Sequence, residues 1–250
     1  MRVVVFLDLD GTVLQTRPKC PPGEPVRPAA RARDGSPLSF ITDRQRAVFD
    51  LLNAGTVIPT TARSLDAFRR VDLPFAHAAI LNFGGVVLAP GGALDDCWDA
   101  VVRPQLRDTA ADLDAARAVV EGVSARLGLG VAARVIRDFD LPLYLVVKHP
   151  GGDATRLEPV REALHGLGDR FGLHVNDNNL SLVPACLGKE RAVRHVLATY
   201  FADEPVATVG VGDGFSDAAF LGVCDFAAVP RGSQLGGALV APTNLASRAP

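Results

Sequence analysis

The sequence predicts an α/β protein: a Rossmann-like, doubly wound parallel sheet interrupted by an inserted α+β module. Three observations carry that prediction. Arg2–Leu7 (RVVVFL) is apolar and β-branched with no polar alternation beyond its first residue, the pattern of a central strand covered on both faces. Strands and helices alternate up to about residue 85 and again from about residue 186. Between these stretches the order is helix, hairpin, helix, hairpin, which suits an antiparallel sheet with helices on one face.

Taken in order, the first strand ends in Asp8 and Asp10, and Gly11 lets the chain turn away. The stretch from Gln15 to Pro37 (QTRPKCPPGEPVRPAARARDGSP) is rich in proline and arginine. Its prolines argue against regular structure, and its composition suits a disordered loop or a surface flap. Thr42-Asp43-Arg44-Gln45 matches a capping box; Ala47, Val48, Leu51 and Leu52 would form the apolar stripe of the helix and Gly55 its stop. TVIPTTARS reads as a strand followed by a helix capped by Ser64, with Pro59 forcing a bulge or an early strand end. A third strand near Ala79–Phe83 ends in Gly84-Gly85.

Within the insert, a helix near Asp114–Leu127 precedes the extended runs VAARVIRDF and LPLYLVVKH, with Pro142 near their junction. A second helix over Ala154–Phe171 precedes LHVND and NLSLVP, joined at Asn178-Asn179. The core rhythm returns with a helix over Lys189–Tyr200, a strand over Val206–Val211, a short helix over Ser216–Leu221 and a strand over Asp225–Val229. Residues 1–85 plus 186–250 are therefore expected to form the core, and residues 86–185 the insert.

A hydrophobic content of 48% over 250 residues can build a substantial interior. The formal net charge of −2 offers no general attraction for nucleic acid or an anionic membrane, so the expected partner is a small molecule and any anion-binding power must be local. A monomer or a small homo-oligomer is expected. Cys20, Cys97, Cys186 and Cys224 are far apart, with no C-x-x-C pair to suggest zinc or a disulfide framework, which suits the cytoplasm. The N-terminal apolar run is too short for a membrane span and leads into aspartates rather than a cleavage site, so no targeting segment is expected.

The chemistry-bearing residues sit at strand ends and helix starts. Asp8 and Asp10, two residues apart, face the same side at the carboxyl end of a central strand, where open α/β sheets bind ligands. GVGDGFSDAAF places Asp213 at the end of another strand and Asp217 in the first turn of the following helix; its glycine spacing is not that of a dinucleotide loop. If those strands are neighbours, four carboxylates converge. Each like-charged pair ~4 Å apart costs about 4 kcal/mol at an effective dielectric of 20, so the cluster needs a cation or a proton. All-oxygen donors favour Mg²⁺ completed by a phosphate oxygen. Thr61, with Thr60 as an alternative, and Lys189 at a helix start are suited to phosphate oxygens.

These four pieces, DLDGT, TTAR, the lysine of LGKERA, and GDGFSD, resemble in order the four motifs of the haloacid dehalogenase superfamily. The insert between the second and third motifs resembles the cap of its sugar-phosphatase branch. The resemblance implies a Mg²⁺-dependent phosphatase acting on a small phosphorylated metabolite, foremost a sugar phosphate, with a sugar phosphomutase and a nucleotide monophosphatase as alternatives. It implies Asp8 as nucleophile, Asp10 as acid and base, and Thr61 and Lys189 as phosphate ligands. Asp8, the backbone carbonyl of Asp10 and Asp213 would bind the metal, with Asp217 binding directly or through water. Ala62 stands where the second motif usually has glycine, and Ser216 where many relatives have asparagine. Candidates for selecting the leaving group are the polar cap residues Arg134, Arg137, Lys148, His149 and Asn178. The arginines of the 15–37 loop would add preference for a second anionic group.

Overall fold

The computed structural model describes residues 1–240, so the last ten residues of the expected core lie outside it. Strand β1 (Arg2–Leu7) is followed by a segment that forms strands after all: β2 (Gln15–Thr16), β3 (Val26–Arg31) and β4 (Pro37–Thr42) make a small antiparallel sheet. Pro28 is accommodated because β3 is an edge strand with a register shift beside it. The expected irregular loop is thus a folded flap, and its prolines mark an edge rather than disorder.

Thr42 caps helix α1 (Asp43–Leu52) through the reciprocal capping box with Gln45. The buried stripe, however, runs through Gln45, Phe49 and Leu52, while Ala47, Val48 and Leu51 are exposed. Phe49, fully buried against the sheet, sets the phase of the helix, and the smaller residues turn outward. Strand β5 (Thr56–Pro59) ends at Pro59, and the short helix α2 (Leu65–Phe68) is capped by Ser64. Strands β6 (Ala79–Leu81) and β7 (Val86–Leu88) form an antiparallel hairpin, so residues 86–88 lie with the core sheet rather than beyond it.

The next helix, α3 (Asp96–Asp108), has no counterpart in the sequence reading because Pro104 interrupts its periodic pattern. Helix α4 (Ala110–Leu127) then leads to β8 (Ala132–Asp138) and β9 (Leu141–Lys148). Their tight turn uses Phe139 and Asp140, both at positive φ. The expected helix over Ala154–Phe171 contracts to α5 (Glu158–Leu164), because Gly166 and Gly168 end it in 3₁₀ turns. Strands β10 (Phe171–Asn176) and β11 (Asn179–Pro184) turn at Asp177-Asn178, one residue earlier than expected. Helix α6 (Lys189–Tyr200), strand β12 (Val206–Val211), helix α7 (Ala218–Leu221), strand β13 (Phe226–Ala228) and helix α8 (Gln234–Val240) complete the described chain.

The central sheet has the order β13-β12-β1-β5, all neighbours parallel, and a bridge between Thr60 and Ile80 brings β6 beside β5. Burial on both faces holds it: Val4 and Phe6 enter one apolar cluster, Val5 and Leu7 another. Each such side chain contributes about 1.5–3 kcal/mol by leaving water. The insert is a second layered unit, an antiparallel sheet in the order β10-β11-β9-β8. One face packs on α4 and α5 through Leu145, Val147, Leu180 and Leu182. The other presents Ile136, Tyr144, Val146 and Val183 to the core cluster, so this sheet lies over the core as a cap.

Candidate functional site

The strand order reverses direction at β1: the chain proceeds from β1 to β5 on one side and returns to β12 on the other. Loops leaving adjacent strand ends at such a point diverge and open a crevice. Asp8 follows β1 there, Asp213 follows β12, Asp217 immediately precedes α7 and Lys189 is the first residue of α6. Gly11 allows the close approach of the first two loops: at φ +91° it takes a conformation that favours glycine, and a Cβ there would lie 2.6 Å from Asp213 Cγ.

Asp8, Asp213, Asp217 and Lys189 are all buried. Lys189 Nζ donates to Asp8 Oδ1 at 2.6 Å and to Asp217 Oδ1 at 2.7 Å. Thr12 Oγ1 donates to Asp8 Oδ2 at 3.1 Å, and Asp217 Oδ2 accepts from the backbone N–H groups of Asp213 and Gly214, both at 3.0 Å. Oxygens of Asp8, Asp213 and Asp217 lie within 4.8 Å of one another. One ammonium against three carboxylates leaves two buried negative charges, and each carboxylate pair at this range repels by about 3 kcal/mol at an effective dielectric of 20.

The titrations follow from that imbalance. Burial raises the pKa of Asp8 well above the ordinary carboxylate value; Lys189 opposes the shift, and Asp217 and Asp213 add to it. Burial and the neighbouring Asp217 raise Asp213 to about 6. Burial alone would lower the pKa of Lys189, but Asp8 and Asp217 outweigh it and hold the ammonium charged. A divalent cation would neutralise the remaining charge, and the donor set of carboxylate oxygens without sulfur or imidazole fits a hard ion.

Asp10 is placed differently. Its side chain is half exposed and is gripped by Arg63, with Nε to Oδ2 and Nη2 to Oδ1 both at 2.7 Å. Arg63, itself 10% exposed, also donates from Nη2 to Ser39 Oγ at 3.0 Å, joining the second motif to the flap. Asp10 thus stands beside the buried cluster rather than in it. Thr60 and Thr61 differ in their hydrogen bonds: Thr60 donates its hydroxyl to Ile58 O, whereas Thr61 Oγ1 accepts from Arg63 N–H and donates to no partner among the described residues.

Sequence reasoning left Arg63, Thr12 and His174 without a role. The first two stand inside TTAR and DLDGT, and their polar side chains were the available signal. His174 carries none, because only the fold brings β10 across the core, where His174 stacks on Phe83 with ring centroids 5.5 Å apart. Burial and the positive charge of Lys189 lower its pKa, opposed by Asp217.

Among the cap candidates, Arg134 and Lys148 lie on the core-facing side of the cap sheet. Arg137 does not: strand alternation turns it to the helix-packed face, where it meets Asp114 of α4 at 3.6 Å. His149 accepts from Asp153 N–H at Nδ1, and Asn178 bonds the N–H and C=O of His149, so both residues fasten a cap loop. The flap arginines are likewise engaged: Arg27 with Asp43, Arg31 with Asp72 and Arg33 with Asp66.

Solved structures share this architecture. The sucrose-phosphatase from Synechocystis, solved with sucrose and phosphate, is 16% identical with a TM-score of 0.53, over 78% of this chain and 86% of that one. The C-terminal domain of the C. albicans trehalose-6-phosphate phosphatase is 13% identical with a TM-score of 0.54, over 88% of this chain and 72% of that one. A protein from Eubacterium rectale is 15% identical with a TM-score of 0.51, over 95% and 91% of the two chains. The protein thus has the α/β fold with an inserted cap that the haloacid dehalogenase resemblance implies. No family model and no curated protein sequence matches the chain. Among the described residues, no helix is long and apolar enough to cross a membrane.

Proposed function

We propose that the protein is a Mg²⁺-dependent phosphatase that hydrolyses a small phosphorylated metabolite, a sugar phosphate foremost, through an aspartyl-phosphate on Asp8. The observation that carries this reading is the buried Asp8 held by Lys189 and crowded by Asp213 and Asp217 at the sheet's switch point. The likeness in fold to sugar-phosphate phosphatases supports the substrate class.

Asp8 attacks phosphorus opposite the leaving oxygen; its O–P bond forms as the ester P–O bond breaks. Asp10 leaves Arg63, takes up a proton from solvent, and gives that proton to the leaving oxygen. Asp10 then takes a proton from water, whose oxygen attacks phosphorus, and the Asp8–phosphorus bond breaks to restore the carboxylate and release phosphate. The Lys189 ammonium and the Thr61 hydroxyl proton hold phosphoryl oxygens. Asp8, Asp213 and the Asp10 carbonyl would hold Mg²⁺, with Asp217 direct or through water. Once bound, the ion would offset the cluster's negative charge and the charge on the transferring phosphoryl group.

A screen of sugar phosphates, nucleotides and phosphoglycerate derivatives, with and without Mg²⁺, tests the proposal. Phosphate release that requires Mg²⁺ and no bisphosphate activator is expected, which separates hydrolysis from mutase chemistry; a nucleotide preference would instead favour a nucleotide monophosphatase. Asp8→Asn should lower release roughly 10⁴-fold or more with its circular dichroism unchanged. Substantial residual turnover would sink the assignment.

A further inference from the structure

Resting on that phosphatase reading, we propose that Arg134 and Lys148 form a subsite for a second anionic group on the leaving part of the substrate. The substrate is then a polyhydroxy phosphomonoester that also carries a carboxylate or a second phosphate. Strand register makes the two cations neighbours: Arg134 lies opposite Val146 and Lys148 opposite Ala132, a diagonal pair on one face. Val146 and Ile136 share that face and are buried against the core, so Arg134 and Lys148 look toward the crevice while remaining accessible.

The surrounding cations have partners of their own. Arg63 is committed to Asp10 through two hydrogen bonds, and Lys19 of the flap pairs with Asp177 at 3.5 Å. Arg134 and Lys148 make no ion pair among the described residues, unlike the flap arginines Arg27, Arg31 and Arg33. The protein around the Lys148 amine lowers its pKa; Asp10 opposes the shift, while Arg134, Arg63 and Lys19 add to it. Two adjacent inward-facing cations repel, and an anion between them relieves the repulsion.

A neighbouring acceptor indicates hydroxyl groups on the same ligand. Leu180 pairs with Val147, which sets the preceding Asn179 alongside Lys148, and strand alternation turns Asn179 away from the helix-packed Leu180. Asn179 Oδ1 is buried with no hydrogen-bond partner among the described residues. A buried acceptor of this kind is unfavourable until a donor such as a sugar hydroxyl reaches it. The notion that the flap supplies the second-anion contact therefore moves to the cap sheet.

The test compares the full chain with its Arg134→Ala/Lys148→Ala double variant on glucose 6-phosphate, 6-phosphogluconate and fructose 1,6-bisphosphate, reading kcat and KM separately. The wild-type chain should favour at least one doubly anionic probe about tenfold or more in kcat/KM, and the double variant should lose most of that preference through KM. Arg134→Lys should retain part of it. Preference for 6-phosphogluconate alone identifies a carboxylate; preference for the bisphosphate alone identifies a phosphate. In an Asp8→Asn background, calorimetry with the preferred probe should show about tenfold weaker binding when both cations are removed. Mg²⁺-dependent hydrolysis without a doubly anionic preference, or with one that survives the double variant, overturns the subsite and leaves the phosphatase reading standing. Calorimetric discrimination without phosphate release from any probe does the reverse.

Discussion

The core's strand ends and the cap's inner face both present charged side chains to one crevice, but they hold them differently. At the core end, Asp8, Asp213, Asp217 and Lys189 are locked by burial and mutual hydrogen bonds. On the cap face, Arg134 and Lys148 remain accessible and make no ion pair among the described residues. The difference suits a division between fixed chemistry and changeable selectivity: the first site requires close positioning, whereas the second leaves its charges available to a ligand.

The largest expected effect probes the locked half. Among the described residues Lys189 is the only ammonium paired with the buried carboxylates, so Lys189→Met should leave Asp8 and Asp217 without a counter-charge and lower stability by about 3–5 kcal/mol. Mg²⁺ should restore part of the loss, measured by urea denaturation with and without the ion. The wild-type chain should itself melt at a higher temperature with Mg²⁺ than with a chelator, because a ligand that binds only the folded form stabilises it. A Lys189→Met variant as stable as wild type in metal-free buffer would show that the cluster is far less charged than its geometry implies.

The two halves also differ in how much of them can be read along the chain. Asp8, Asp213 and Lys189 were legible because each follows an apolar strand or opens a helix, and parallel α/β order carries such positions to one end of the sheet. Arg63 lay inside a recognised motif, but its bidentate hold on Asp10 depends on a turn that no spacing rule specifies. The cap face was less legible because strand alternation tells which residues share a face, not which face meets the core. Arg134 and Arg137 show the limit: alternation along β8 puts them on opposite faces, but only the packing of the cap on the core shows which face meets the crevice. In α1, Phe49 set the helix phase against a larger but wrong stripe of aliphatic residues, and in α3, Pro104 concealed a real helix.

An intermediate effect should come from the junction between the halves. Asp95 caps α3 through Trp98 N–H at 2.9 Å, and its other oxygen contacts His195 Nε2 at 2.8 Å and accepts from Tyr200 Oη–H at 2.7 Å. Both partners lie on α6, the helix that begins with Lys189. Asp95→Ala should cost about 2–3 kcal/mol at pH 7 through loss of the cap and the buried hydrogen bonds. Burial alone would raise the pKa of Asp95, but the bonds from Trp98, His195 and Tyr200 hold it below the ordinary value. A depressed folded pKa gives stability that is present above the unfolded carboxylate value of about 3.9 and lost as pH falls through the folded value. Denaturation from pH 6 down to pH 3 should therefore show a shallower acid loss in the variant; parallel curves would remove Asp95 from the acid response.

The smallest expected effect tests the cap's two faces. Arg137 is exposed and meets Asp114 at 3.6 Å, the geometry of a surface pair worth about 0–1 kcal/mol. Arg137→Ala should therefore change stability by no more than about 0.5 kcal/mol and leave the preference between singly and doubly anionic substrates within about twofold of wild type. Arg134→Ala, only three residues earlier but on the opposite face of β8, should weaken that preference. Loss of selectivity in the Arg137 variant rather than the Arg134 variant would mean that the other face of β8 meets the crevice, and the assignment of the two cap faces would have to be exchanged.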